Sequence, residues 1–139
     1  MHNLKLNIMG TRSTVRFYSE HNQNKPVMNV YNQFDGYISG VGADLGKWLK
    51  DKKICNGFNG SKTIQTGWAN GMGCLAAQFV AEHKKEIGGF YLTTEDDEQE
   101  YNYEVRLIDG EFIIKVGKFQ GSPEELLNYE EPEDDEDKY

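Results

Sequence analysis

The chain has 139 residues, 37% of them hydrophobic, with 15 glycines, 8 tyrosines and a formal net charge of −8. That length fits one domain whose core can stand without disulfides or metal. No stretch approaches the ~20 apolar residues of a membrane-spanning helix, and the acidic balance points away from direct nucleic-acid binding.

The acidity is local. Nine acids and one base lie between Glu124 and Tyr139, which accounts for the whole net charge and leaves residues 1–123 neutral. From residue 130 the sequence reads EEPEDDEDKY and has nothing to bury, so the expectation is a disordered acidic tail over 130–139. Such a tail solvates the chain, engages a basic protein partner of the histone kind, or folds back on a basic patch. Lys47, Lys50, Lys52, Lys53 and Lys62 are the candidate patch.

Residues 1–9 read as an N-terminal extension ahead of a single α+β domain over 10–129. Met9-Gly10 would nominally fit an N-myristoylation pattern if translation began there, but the match is short. Thr14 to Ser19 is rich in β-branched and aromatic residues and predicts a strand; Val27 to Gln33 predicts its hairpin partner. A glycine-rich passage, QFDGYISGVG, follows. Val41, Leu45, Trp48 and Leu49 then fall on one face of a short helix. Trp68, Met72, Leu75, Ala76, Phe79, Val80 and His83 form a longer stripe, predicting an amphipathic helix of about five turns. Gly88-Gly89 stop it, and Gly71 and Gly73 with Ala69, Ala76 and Ala77 offer a small-residue surface for close approach of another backbone.

The rest reads as β. Phe90 to Thr94 predicts a strand, and EDDEQE at 95–100 a charged hairpin tip. Alternation over 101–108 and 112–116 brackets Asp109-Gly110, a favoured two-residue turn. Ser122-Pro123-Glu124-Glu125 opens a last short helix to Tyr129. The expected order is ββααβββα: an α+β fold with an antiparallel sheet of about five strands and helices packed on one face.

Chemical motifs are sparse. Gly40 to Lys47 fails the phosphate-loop spacing, and the dinucleotide glycine pattern fails at Leu45. His2, His21 and His83 lack metal-ligand spacing, so neither metal nor cofactor is expected. Cys55 and Cys74, without CxxC spacing or a signal-peptide pattern, read as structural thiols of a reducing compartment. Asp35 is open to two readings, a catalytic acid or an Asx turn. The densest constellation is Arg12, Ser13, Asn32, Gln33, Asp35, Tyr37 and Trp68. An arginine, amides and aromatic faces suit an anionic, planar ligand such as a nucleotide. The competing reading is that these groups only satisfy loop amides, with Arg12 paired to Asp35.

Gly10-Thr11-Arg12-Ser13, Tyr31-Asn32-Gln33-Phe34-Asp35-Gly36-Tyr37, Gly40, Gly42, Gly71-Met72-Gly73-Cys74-Leu75-Ala76, Tyr101-x-Tyr103 and Phe119-x-Gly121 resemble a family of uncharacterised small proteins of bacteriophages and large DNA viruses. The resemblance spans about residues 9–128. The chain departs from the family at Ile38, where proline is common, and the acidic tail lies outside the family core. The resemblance implies a viral origin, in host cytoplasm or virion and not secreted, and supplies no activity or catalytic residue. Two functions follow as expectations. One is a non-enzymatic accessory or virion-associated protein that binds a host or viral macromolecule, as a homodimer through a sheet edge or helix surface. The other is a module that binds or sequesters a nucleotide-like anion; an enzyme ranks below both.

Overall fold

The computed structural model describes residues 10–132. The extension at 1–9 and the tail beyond 132 lie outside the described residues. The first two strands form the expected hairpin, β1 (Ser13–Ser19) with β2 (Asn22–Asn32), in a register that sets Ser13 opposite Asn32 and Val15 opposite Val30. Most of the polar connector EHNQNKP belongs to β2, which absorbs it through register shifts near Tyr18.

A π-helical turn at Ile38–Gly42 runs directly into α1 (Ala43–Lys50). Leu45 and Leu49 are the buried stripe of α1, Asp44 sits in its first turn and Lys47 and Lys50 in its last, each matching the helix dipole. The long helix is shorter than its stripe suggests. α2 spans Met72–His83, and Trp68 belongs instead to β4 (Trp68–Asn70), which pairs in parallel with β3 (Lys53–Cys55). Gly71, at φ 89°, divides strand from helix in a conformation that a side chain would resist.

The remaining strands are β5 (Phe90–Thr93), β6 (Tyr101–Ile108), β7 (Glu111–Val116) and β8 (Phe119–Gly121), followed by α3 (Pro123–Leu127). Asp109 and Gly110 both take positive φ, as the two-residue hairpin turn requires. Ser122 caps α3 through a complete capping box with Glu125.

The architecture is α+β, with two corrections to the sheet. The main sheet has six strands in the order β5-β2-β1-β6-β7-β8, and it is mixed, because β6 runs parallel to β1. Antiparallel neighbours follow from short connections only where consecutive strands pair. Here β5 adds to the outer side of β2 and β6 to the other side of β1. EDDEQE is therefore no hairpin tip: the 94–100 segment crosses the face of β2 and β1 to reach β6. The observed order is ββαββαββββα.

Alternation gives the sheet two different faces. Val15, Phe17, Val30, Tyr103, Val105 and Ile114 point to one side, where they form the core with Leu45, Leu49, Met72, Leu75, Phe79 and Leu126 of the helices. Phe17 and Phe79 meet with ring centroids 5.0 Å apart. The opposite, polar face is covered over β1 by the crossing segment. Arg16 points there and is only 5% exposed. Its guanidinium donates to the carbonyl oxygens of Glu95 and Asp97 and to Thr14 Oγ1. Asn29, opposite Arg16, donates to the Thr94 carbonyl at 2.8 Å. A buried cation thus holds an acidic segment through its backbone. No helix among the described residues is long and apolar enough to cross a membrane.

Candidate functional site

The two glycine-bearing motifs, GTRS and QFDGY, do converge. The Gly36 N–H donates to the Thr11 carbonyl at 2.8 Å, and the Tyr103 hydroxyl donates to the Gly36 carbonyl at 2.7 Å. A Cβ on Gly36 would stand 2.6 Å from the Ser13 Cβ, so this close approach admits only glycine. Burial raises the Tyr103 hydroxyl well above the ordinary phenol range, which keeps it neutral and donating to that carbonyl. Much of the motif chemistry is therefore backbone stitching. Ser13 Oγ and Asn32 Nδ2 point to the core side and are buried without a hydrogen-bond partner among the described residues.

Arg12 and Gln33 behave differently. They flank the Ser13–Asn32 pair, one residue before β1 and one residue after β2. Both line a depression of about 540 Å³ with Tyr31, Tyr91, Leu92, Thr93, Asp97 and Gln99. Tyr31 and Tyr91 are cross-strand neighbours with ring centroids 5.9 Å apart. Asp97 is a brace: its carboxylate accepts from Thr93 Oγ1 and from Gln99 Nε2, both at 2.6 Å. Arg12 is exposed; its carbonyl accepts from the Tyr101 N–H at 3.3 Å, but its guanidinium forms no hydrogen bond or ion pair among the described residues. The expected alternative pairing of Arg12 with Asp35 is not made.

Asp35 and Tyr37 stay outside this depression. The Tyr37 hydroxyl donates to Asp35 Oδ1 at 2.9 Å, and that bond raises the phenol above its usual range. Asp35 sits at φ 58°, and its carbonyl accepts from the Val41 N–H at 2.8 Å, so it turns the chain into the π-helical turn. Trp68 lies elsewhere again, on β4, with the ammonium groups of Lys53 and Lys62 at 5.5 and 4.9 Å from its ring. Lys50, Lys52 and Lys53 of the basic patch line one groove with Trp68.

Of the seven residues singled out from the sequence, the structure thus gathers Arg12 and Gln33 into one cavity. Ser13 and Asn32 lie behind it, Asp35 and Tyr37 lie on the adjoining bend, and Trp68 lies apart. Sequence reasoning missed Tyr31, Tyr91, Leu92, Thr93, Asp97 and Gln99. Alternation with Gln33 could have found Tyr31, but the others enter only because β5 pairs with β2.

Cys55 and Cys74 both border a second cavity, beside the start of α2. There the Glu20 carboxylate accepts from the Met72 N–H, so the helix end is already capped by this chain. Among the described residues no cluster of three His, Cys, Asp or Glu side chains has metal-holding geometry. Compared with known proteins, the chain matches no family model, no curated protein and no solved structure.

Proposed function

We propose that this chain is a non-enzymatic accessory protein of viral origin that acts by binding, with the Arg12 depression holding an anionic, planar ligand of the nucleotide kind. The viral origin rests on the motif resemblance. The binding reading rests on one observation: an exposed guanidinium without a partner among the described residues stands over the same hollow as two tyrosine rings. A guanidinium offers five fixed donors to a phosphate or carboxylate. Tyrosine faces stack on a planar group, and the amides of Gln33 and Gln99 supply edge contacts. The one carboxylate in the lining is tied to Thr93 and Gln99, which suits support better than proton transfer.

Thermal-shift screening against nucleoside mono- and triphosphates tests this. A ligand present at 100 times its dissociation constant adds about 2.7 kcal/mol of stability. Arg12→Ala and Tyr91→Ala should each remove most of that shift. A shift that survives both changes would move the site elsewhere.

A second reading has its own support. Phe58 and Ile64 are 69% and 55% exposed near Trp68, an apolar patch with the Lys62 and Lys53 ammonium groups at the Trp68 ring. Such patches mark protein contact surfaces. A host or viral protein with an acidic segment would fit it. Pull-down from infected-cell lysate with and without Phe58→Ser and Ile64→Ser distinguishes the two, because neither change touches the Arg12 depression.

A further inference from the structure

β5 is an edge of the main sheet, and its backbone is laid out for pairing. The Gln33 N–H donates to the Gly89 carbonyl at 2.9 Å, and the register continues through Tyr31 with Tyr91 and Asn29 with Thr93. Hydrogen-bonded pairs alternate along an antiparallel ladder, so the N–H and C=O groups of Phe90 and Leu92 point away from the sheet. Lys84 Nζ confirms the direction, since it reaches the Phe90 carbonyl from that side at 2.8 Å. A carbonyl has a second lone pair, so this contact leaves the group able to accept another bond. Among the described residues no strand pairs with this edge.

The side chains around the edge are as open as its backbone. Leu92 is 68% exposed, Tyr91 46% and Ile87 fully exposed. The four residues of β5 carry no charge, whereas natural edges are usually blunted by charge, proline or a cover. Charge appears only at the two ends, with opposite net sign: Lys84, Lys85 and Glu86 precede the strand with a net +1, and Glu95 and Asp96 follow it with −2.

We propose that this edge pairs with β5 of a second copy of the chain, antiparallel about a two-fold axis, joining two six-stranded sheets into one. Antiparallel self-pairing brings the start of each strand beside the end of its partner. The lysines of one copy then meet the acids of the other, twice by symmetry. A foreign strand would have to carry that same charge order to fit as well. The paired area is small beside a standard interface, so the dimer is weak and concentration-dependent. Tyr91, Leu92 and Thr93 also wall the Arg12 depression, so the second copy stands at its rim; the pairing itself does not rest on the ligand reading.

Sedimentation velocity from about 10 µM to about 1 mM tests the proposal. The wild-type chain should move from monomer toward dimer across that range. Leu92→Pro deletes only an outward N–H and leaves the bonds to β2 in place, so it should stay monomeric with an unchanged melting temperature. Lys85→Glu should weaken the dimer at least several-fold, and adding Glu95→Lys should restore it. If Leu92→Pro perturbs folding, the charge exchange decides alone. A wild-type chain that remains monomeric throughout, a well-folded Leu92→Pro chain that dimerises as strongly, or a failed restoration would each overturn the pairing.

Discussion

His83 and Asp44 join the end of α2 to the start of α1. His83 Nε2 lies 2.8 Å from Asp44 Oδ2, and His83 Nδ1 lies 2.8 Å from the Phe79 carbonyl. Both ring nitrogens face oxygen acceptors, which only the imidazolium satisfies with two donors. The ring also stacks on Phe79 at 4.0 Å. Burial works against its charge, but the bonds to Asp44 and Phe79 and the nearby carboxylates outweigh it, so the His83 pKa is raised from 6.5. Asp44 is lowered from 3.8, chiefly by the His83 bond.

These directions give a pH window. The His83 contribution is complete below its ordinary value of 6.5 and is lost as pH rises through the raised value. The Asp44 contribution is complete above 3.8 and is lost as pH falls through the lowered value. Asp44→Asn should therefore destabilise most at about pH 5, by no more than about 1 kcal/mol because Asp44 is largely exposed, and least at about pH 9. Urea midpoints at both pH values measure this. Equal losses at the two would mean that the contact is not an ion pair.

Arg16 should govern the crossing segment. Arg16→Met keeps an unbranched stem but strands the Glu95 carbonyl without its donor and leaves the Asp97 carbonyl only the Asn29 amide at 3.3 Å. The expected cost is about 2 kcal/mol. Amide hydrogen exchange across 95–100 should quicken well beyond what global destabilisation explains. Protection that stays as in wild type would show that the sheet face holds this segment by other contacts.

Two glycines should respond with opposite sign. Gly36→Ala drives a Cβ into the Ser13 side chain and should cost about 1–3 kcal/mol. Gly73 lies in α2 with nothing within 4 Å of an added Cβ, so Gly73→Ala should stabilise by about 0.5–1 kcal/mol. That open space also answers the expectation of close backbone approach at Gly73, which no neighbour within the described residues makes. Thermal melts of the two variants check the pair together, and a loss for Gly73→Ala would point to a contact made outside this chain's own fold.

Ser122 should matter more than its exposed position suggests. It accepts from the Glu125 N–H at 3.1 Å, and Glu125 returns a bond to the Ser122 N–H at 2.8 Å. α3 has only five residues and carries Leu126 into the core. Ser122→Ala should lose about 1 kcal/mol, whereas Ser122→Asp should retain most of it. Chemical denaturation of both variants distinguishes a capping role from simple packing, under which the two changes would cost alike.

The local structure was largely legible from residue patterns. The β1–β2 hairpin, the apolar face of α1, the Asp109-Gly110 turn and the Ser122 cap all arise from contacts within a few residues, and local sequence specifies such contacts. The α2 boundary was not: the stripe from Trp68 onward has helical spacing, but Gly71 breaks the chain before the pattern can be realised as one helix. Arg12 and Gln33 were legible as site residues because they flank the paired ends of two consecutive strands, next to Ser13 and Asn32. Tyr91, Asp97 and Gln99 were not, because nothing local says which strand β5 joins.

The sequence alone determined an α+β chain with a neutral body, an acidic C-terminal run and a core of alternating strand residues under two amphipathic helices. Tertiary structure alone decided that β6 lies parallel to β1, that an acidic crossing segment rests on buried Arg16, and that Arg12 shares a hollow with Tyr91. The reason is physical. Hydrophobic period and turn chemistry act over a few residues, whereas strand order depends on which distant backbone edges meet, and those pairings recruit residues about 80 positions apart.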